Sequence, residues 1–367
     1  MEKTLRVKPL SKLEHVLKTR LISDVHELTE RLELEKIVSP GMLKASQTLP
    51  MLFPESMLNR VRKGDPNDPI LLQFIPSPRE LEETPGFDHD PLCEQAQNES
   101  ETLTDVSSCI LQKYYGRVLV IATNACACQC RFCFRRYFPK NRALFPSFAG
   151  SGMSSENDAI SRIEQAFKPI QDDDTISEII LSGGDPLTLS NDNLKTLLHY
   201  IGSIAHVKRV RFHSRVPILS PQRIDDGFPT CEDFPSVKTD VPRTLHLVLH
   251  VDSPNEIDEG VSTALAALRR KGFVLTSQTT LLRGVNDNAE TLVALYDKLV
   301  NLGVLPYYLH QLDRVQGAAH FETPVAVGKE IIKRLSARLP GYAVPRYVRE
   351  IPGRMMKTNL FLDGDDD

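Results

Sequence analysis

Apolar residues in the first forty positions recur at spacings of three and four, as in Leu13, Val16, Leu17, Leu21, Ile22 and Val25, and predict helix over 1–40. Pro40-Gly41 ends that pattern. From about 45 to 105 the periodicity disappears and Pro and acidic residues take over: Asp65-Pro66, Asp68-Pro69, Pro76, Pro78, Pro85, Asp90-Pro91. Such a stretch predicts an irregular wrap over a larger domain, anchored by Ile70, Leu71, Leu72 and Phe74. From residue 117 the pattern turns regular. Short β-branched runs at 118–122, 178–181, 207–213, 244–251, 274–280 and 305–310 alternate with amphipathic stretches near 157–169, 191–203, 255–271, 287–302 and 324–338. Helix starts are signalled by Ser190 or Asn191, by Asn286/Asp287, and by Thr323-Pro324 as N-cap and first helical residue. The alternation predicts an α/β fold with a parallel sheet. Six strands suit an incomplete barrel or an open doubly wound sheet, and both gather ligands at the carboxyl ends of the strands. Residues 363–367 read as a solvated acidic tail.

Charge and length narrow the function classes. The 367 residues carry 44 Lys+Arg against 48 Asp+Glu, a net charge of −4 that gives no general field for nucleic acid. No run approaches the ~18 apolar residues of a membrane span. The first thirty residues mix acids and bases, unlike a signal peptide. No partner of either kind, nucleic acid or membrane, is expected.

The seven cysteines are odd in number and unevenly spread. Cys126, Cys128, Cys130 and Cys133 fall just after the first regular strand, while Cys93, Cys109 and Cys231 stand alone. This distribution excludes an even disulfide framework and points to a reducing, cytoplasmic setting with a metal or redox site. Structural zinc takes two ligand pairs separated by a loop, and no second pair is present here. Closely spaced thiolates suit an iron–sulfur cluster. The spacing C-x3-C-x2-C is met by Cys126, Cys130 and Cys133; a four-cysteine set adds Cys128, the alternative to Cys126 as a ligand.

That spacing, with Phe132 just before the last cysteine, resembles the radical S-adenosylmethionine superfamily, in which three cysteines hold a [4Fe-4S] cluster. Further motifs, in order and at compatible spacings, resemble the lysine 2,3-aminomutase family from about residue 50 to 360. They are Arg135-Arg136, Ser182-Gly183-Gly184-Asp185-Pro186-Leu187, Leu281-Leu282-Arg283-Gly284-Val285-Asn286-Asp287, Pro306-Tyr307-Tyr308 and the lysine near the C-terminus. Gly64-Asp65-Pro66-Asn67-Asp68-Pro69 and Lys357-Thr358 look like the short bacterial branch that makes (R)-β-lysine for elongation factor P.

The resemblance implies an incomplete (β/α)6 barrel over 106–340, a helical and irregular extension over 1–105, and a cofactor-lysine segment over 341–367. It implies an isomerase that moves the amino group of L-lysine from carbon 2 to carbon 3 with S-adenosylmethionine and pyridoxal 5′-phosphate. Lys357 matches the lysine that carries pyridoxal phosphate. Lys113, Arg117 and Gln278 match that cofactor's other contacts, Lys113 standing where the family has arginine. Ser182, Gly183, Gly184, Asp185, Ser214 and His250 fall at the S-adenosylmethionine region, with Arg215 beside Ser214. Arg135 matches the substrate-carboxylate arginine, and Asp313 and Glu350 match the readers of the distal ammonium, Glu350 replacing an aspartate. No cysteine follows Cys231, so the zinc site that some relatives carry near the C-terminus is expected to be absent from any homo-oligomer. A ligase acting on elongation factor P is the implied consumer of the product. The alternatives are β-lysine made for another pathway, or a radical enzyme acting on a different amino acid or peptide.

Overall fold

A computed structural model describes residues 8–95, 107–145, 156–235 and 243–362. The acidic tail at 363–367 and the last part of the wrap, 96–105, lie outside the described residues. The N-terminal region is not continuous helix. It breaks into α1 (Lys8–Leu17), a short strand β1 (Leu21–Ile22) and α2 (Val25–Arg31), because β1 pairs antiparallel with β2 (Phe53–Pro54). Local spacing carries no record of that distant partner. Pro40 starts a helix rather than stopping one: Ser39 caps α3 (Pro40–Thr48) with its hydroxyl accepting from Met42 N, and Pro40 fills the first position, where its missing N–H costs nothing. The expected anchors of the wrap hold, with Ile70, Leu71 and Phe74 fully buried.

The regular half forms one sheet. A hairpin of β3 (Ile110–Tyr114) and β4 (Arg117–Thr123) opens it. There follow α4 (Glu156–Asp172), β5 (Glu178–Gly183), α5 (Asn191–Ser203), β6 (Arg209–Ser214), α6 (Val216–Leu219), β7 (Thr244–His250), α7 (Glu259–Arg270), β8 (Phe273–Leu281), α8 (Ala289–Asn301), β9 (Leu305–Gln311), α9 (Val325–Arg338), β10 (Arg346–Arg349) and β11 (Thr358–Asn359). All six expected strands are present. Ser190 caps α5, but α8 is capped by Asn288, since Asn286 is buried and spends its amide on Asp252 O and Thr280 O. Pro324, not Thr323, occupies the cap position of α9, and no side chain caps that helix.

Strands pair in chain order from β3 to β11 without reversal. β4 to β10 run parallel, and β3 and β11 flank them antiparallel. A doubly wound sheet requires a reversal of strand order, so that alternative falls. The sheet also curls. Laid flat, the seven spacings from β3 to β10 would span about 34 Å. Yet Lys113 on β3 and Glu350, just after β10, meet at 2.9 Å. One sheet face is apolar, with Ile179, Leu181, Val210, Phe212, Leu245, Leu247 and Leu249 buried. The alternate residues Glu178, Arg211, His213, His246, His250 and Gln278 make the other face polar.

Candidate active site

The cysteine loop follows β4 and is pinned from both sides. On the sheet side, Gly184 N donates to Thr123 O and Asp185 N to Ala125 O, both at 2.7 Å. A Cβ on Gly184 would lie 2.2 Å from Ala125 O, so only glycine permits this approach. On the other side the wrap forms the floor: Gln129 N donates to Leu52 O (3.0 Å) and Arg131 N to Gln73 O (2.9 Å). The Arg131 side chain is fully buried, giving two bonds to the Glu80 carboxylate and others to Leu49 O and Ala45 O. Arg136 joins the same carboxylate at 3.1 Å.

Asp185 ties the ends of β5 and β6. Its carboxylate accepts from Leu187 N, Ser214 Oγ, Arg215 N and Val216 N at 2.7–3.2 Å. The Arg215 guanidinium lies under the loop. Nη1 donates to Cys130 Sγ at 3.1 Å, and Nη2 binds Gln73 and Glu256, the latter at 2.7 Å. Asp252 stands 3.6 Å from Arg215 and 2.9 Å from His250. The Cys128 thiol lies 3.6 Å from Cys130 Sγ. Its hydrogen bond, aided by Arg215 and His250 against burial, pushes the Cys130 thiol below its usual range. Burial pushes Cys126 and Cys133 the other way, Cys133 to about 11. Among the described residues no three Cys, His, Asp or Glu side chains converge to hold a single ion. A cluster that takes each thiolate on a different iron needs no such convergence. A thiolate-favouring sulfur under an arginine N–H, on a loop with three further thiols, is a donor set that fits a cluster.

A chain of charges crosses the closing edge of the sheet. Lys357 Nζ bonds Glu350, which also takes Lys113 Nζ at 2.9 Å. Lys113 continues to Glu94 at 3.0 Å. Glu94 grips Arg135 through Nε (2.7 Å) and Nη2 (2.9 Å), and Arg135 Nη1 reaches Ser182 Oγ at 3.1 Å. Burial raises the Glu350 carboxyl, but Lys357 and Lys113 outweigh it and hold it at about 2. Glu94 is likewise held low, Arg135 and Lys113 outweighing burial. Asp313 goes the opposite way: burial pushes it up to about 7, with Lys357 opposing and Glu350 adding. Lys357, Lys113, Glu350, Arg135, Ser182 and Asp313 are therefore brought together. Three cations, Arg135, Lys113 and Lys357, face two ionised carboxylates, Glu94 and Glu350, leaving one positive charge for as long as Asp313 keeps its proton. An amine beside that surplus suits a phosphate-bearing carbonyl cofactor.

Arg117 lies one residue out, opening β4 rather than closing it, with its guanidinium 4.8 Å over the Tyr114 ring; Tyr114 in turn bonds Glu350. Gln278 sits on the polar face, in register between His250 and Tyr308. Asp185 and Ser214 spend their polar atoms on each other and on backbone. Glu80, Glu94, Gln73, Asp252 and Glu256 were not evident in the sequence. Two of them follow turn signals, Ser77-Pro78 and Asp90-Pro91, which mark a bend but not where the acid points.

A parallel α/β sheet that collects thiols, amines and carboxylates in partly buried, charge-matched groups has the layout of an enzyme active site. No protein-family model matches the chain. It is 38% identical over 349 residues to the L-lysine 2,3-aminomutase of Escherichia coli strain K12, covering 94% of each. It is 36% identical over 338 residues to that of Haemophilus influenzae, covering 92% of each. With the L-lysine 2,3-aminomutase of Clostridium subterminale it shares 35% over 337 residues, 92% of this chain and 75% of that enzyme. The chain belongs to the L-lysine 2,3-aminomutase family, and the activity class is that of an isomerase. Among the described residues no helix is long and apolar enough to cross a membrane.

Proposed function

We propose that the protein converts L-lysine to (R)-β-lysine by 2,3-amino migration, inside an incomplete (β/α)6 barrel. The observation that carries the reading is the unbroken run of contacts from Lys357 through Glu350, Lys113, Glu94 and Arg135 to Ser182, which links the amine to the mouth beside the cysteine loop. Unreversed strand order and an ion pair between opposite sheet edges support the barrel.

Cys126, Cys130 and Cys133 would hold the [4Fe-4S] cluster, Lys357 with Lys113, Arg117 and Gln278 the pyridoxal phosphate, and Ser182, Gly183, Gly184, Asp185, Ser214 and His250 the S-adenosylmethionine wall. When bound, these groups supply one-electron reduction, hydrogen-atom abstraction and an electrophilic carbon for the migrating amine. The chain's own residues position and shield. Lys357 must release its proton and its bond to Glu350 before its amine is nucleophilic. Glu350, relieved of that partner, then has an oxygen for the substrate's distal ammonium, alongside ionised Asp313. Arg135 takes the substrate carboxylate. The wrap, which floors the cysteine loop, keeps water and oxygen from the mouth. A cytoplasmic setting, a ligase that passes β-lysine to elongation factor P, and an assembly without C-terminal zinc complete the proposal.

The test is anaerobic reconstitution with iron, sulfide and pyridoxal phosphate, followed by lysine, S-adenosylmethionine and dithionite. Wild type should yield β-lysine, and Cys130→Ala and Lys357→Ala should not. Product from either variant at the wild-type rate overturns the reading.

A further inference from the structure

We propose that Glu94 is a positioning residue that fixes the guanidinium plane of Arg135 for the substrate carboxylate. The inference rests on the assignment of Arg135 made above. Arginine has five N–H donors. Glu94 takes two of them, on Nε and Nη2, and Ser182 Oγ takes one on Nη1. One donor is left on each terminal nitrogen, which is what a second carboxylate requires. Gripping one edge of the planar fork fixes its rotation and points the remaining donors in one direction.

The backbone is built to aim this carboxylate. Asp90 accepts from Glu94 N at 3.0 Å and from Gln95 N at 2.8 Å, clamping the turn. Cys93, immediately before, has φ of 52°, a left-handed conformation that costs a side-chain-bearing residue and persists only where surroundings enforce it. Glu94 itself is only 2% exposed, so its charge survives burial because Arg135 and Lys113 meet it. The same segment is tied further back to the chain just after Asp313: Asp88 N donates to Arg314 O at 2.9 Å and Gln316 N to Asp88 O at 2.8 Å. One strap thus references both ends of a bound lysine, the carboxylate end through Glu94 and Arg135 and the ammonium end through the Asp313 loop.

The test is calorimetric titration of protein carrying its cluster and pyridoxal phosphate but no S-adenosylmethionine, so that no turnover occurs. The ligands are L-lysine and 1,5-diaminopentane, the same skeleton without the carboxylate. Glu94→Gln should weaken lysine by about tenfold or more and leave the diamine within about twofold. Glu94→Asp, which keeps the charge on a shorter arm, should fall between wild type and Glu94→Gln. In turnover, KM should rise with kcat little changed. Wild-type lysine affinity in Glu94→Gln, or equal weakening of both ligands, overturns the proposal. Should Glu94→Gln not fold, Glu94→Asp alone decides by the same comparison. Arg135→Lys separates the two readings: if it discriminates lysine from the diamine as wild type does, the Arg135 assignment itself fails; if it loses discrimination while Glu94→Gln keeps it, only the role of Glu94 fails.

Discussion

Arg131 and Glu80 meet in a two-pronged ion pair, Nε to Oε1 at 2.8 Å and Nη2 to Oε2 at 2.7 Å, with side chains 0% and 1% exposed. Arg131 sits in the cysteine loop and Glu80 in the wrap, so the pair joins the least regular part of the chain to its most reactive part. Removing the charge of Glu80 would leave two buried guanidinium groups, Arg131 and Arg136, short of a counter-ion. Glu80→Gln should therefore cost about 3–5 kcal/mol, read as a lowered urea midpoint at unchanged m-value.

Among the loop thiols, Cys130 alone is favoured as a thiolate, through its bond with Cys128 and the charge of Arg215. In metal-free protein at pH 7, iodoacetamide should modify Cys130 before Cys126 or Cys133, as followed by peptide mass mapping. Cys128→Ala should slow that reaction. Equal labelling of all three thiols would contradict the electrostatic picture.

Glu350 contributes stability that depends on pH in a defined sense. Its carboxyl titrates at about 2 in the fold against 4.5 in the free chain, so the contribution is complete above pH 4.5 and is lost as pH falls through about 2. The difference in unfolding free energy between wild type and Glu350→Gln should be about 3 kcal/mol at pH 7 and shrink to about 1 kcal/mol at pH 3.

Asp313 works in the opposite sense. The fold keeps its proton up to about pH 7 while the unfolded chain releases it near 3.8, so its burial erodes stability progressively between those values. Only the ionised form attracts an ammonium group. Lysine KM should fall as pH rises through about 7, and Asp313→Asn should give a higher KM without that inflection.

Repeating local patterns made much of this molecule readable from sequence. The runs that became β4 to β9 are short, rich in β-branched or aromatic residues and separated by stretches with periodic apolar faces, so each element announces itself within its own residues. The loop thiols stand out because cluster chemistry restricts its ligands to one residue type at close spacing, whereas Lys357, one lysine among many, is singled out only by the family resemblance. What stayed hidden is non-local. β1 is a strand only because Phe53–Pro54 lies beside it. Glu80, Glu94 and Gln73 are polar residues in a Pro-rich stretch without period, and their partners Arg131, Arg135 and Arg215 lie 51, 41 and 142 positions away.

Among the described residues, the sheet's opening strand β3 meets its far edge through one ammonium–carboxylate contact, Lys113 to Glu350, and not through a ladder of peptide hydrogen bonds. Lys357 holds the other oxygen of that carboxylate from within the β10–β11 hairpin, so it steadies Glu350 for the seam without crossing it. On the proposed role of Lys357, engaging its amine would leave Glu350 with Lys113 as its one ammonium partner, and salt or acid that weakens that one contact should then part the two edges of the sheet.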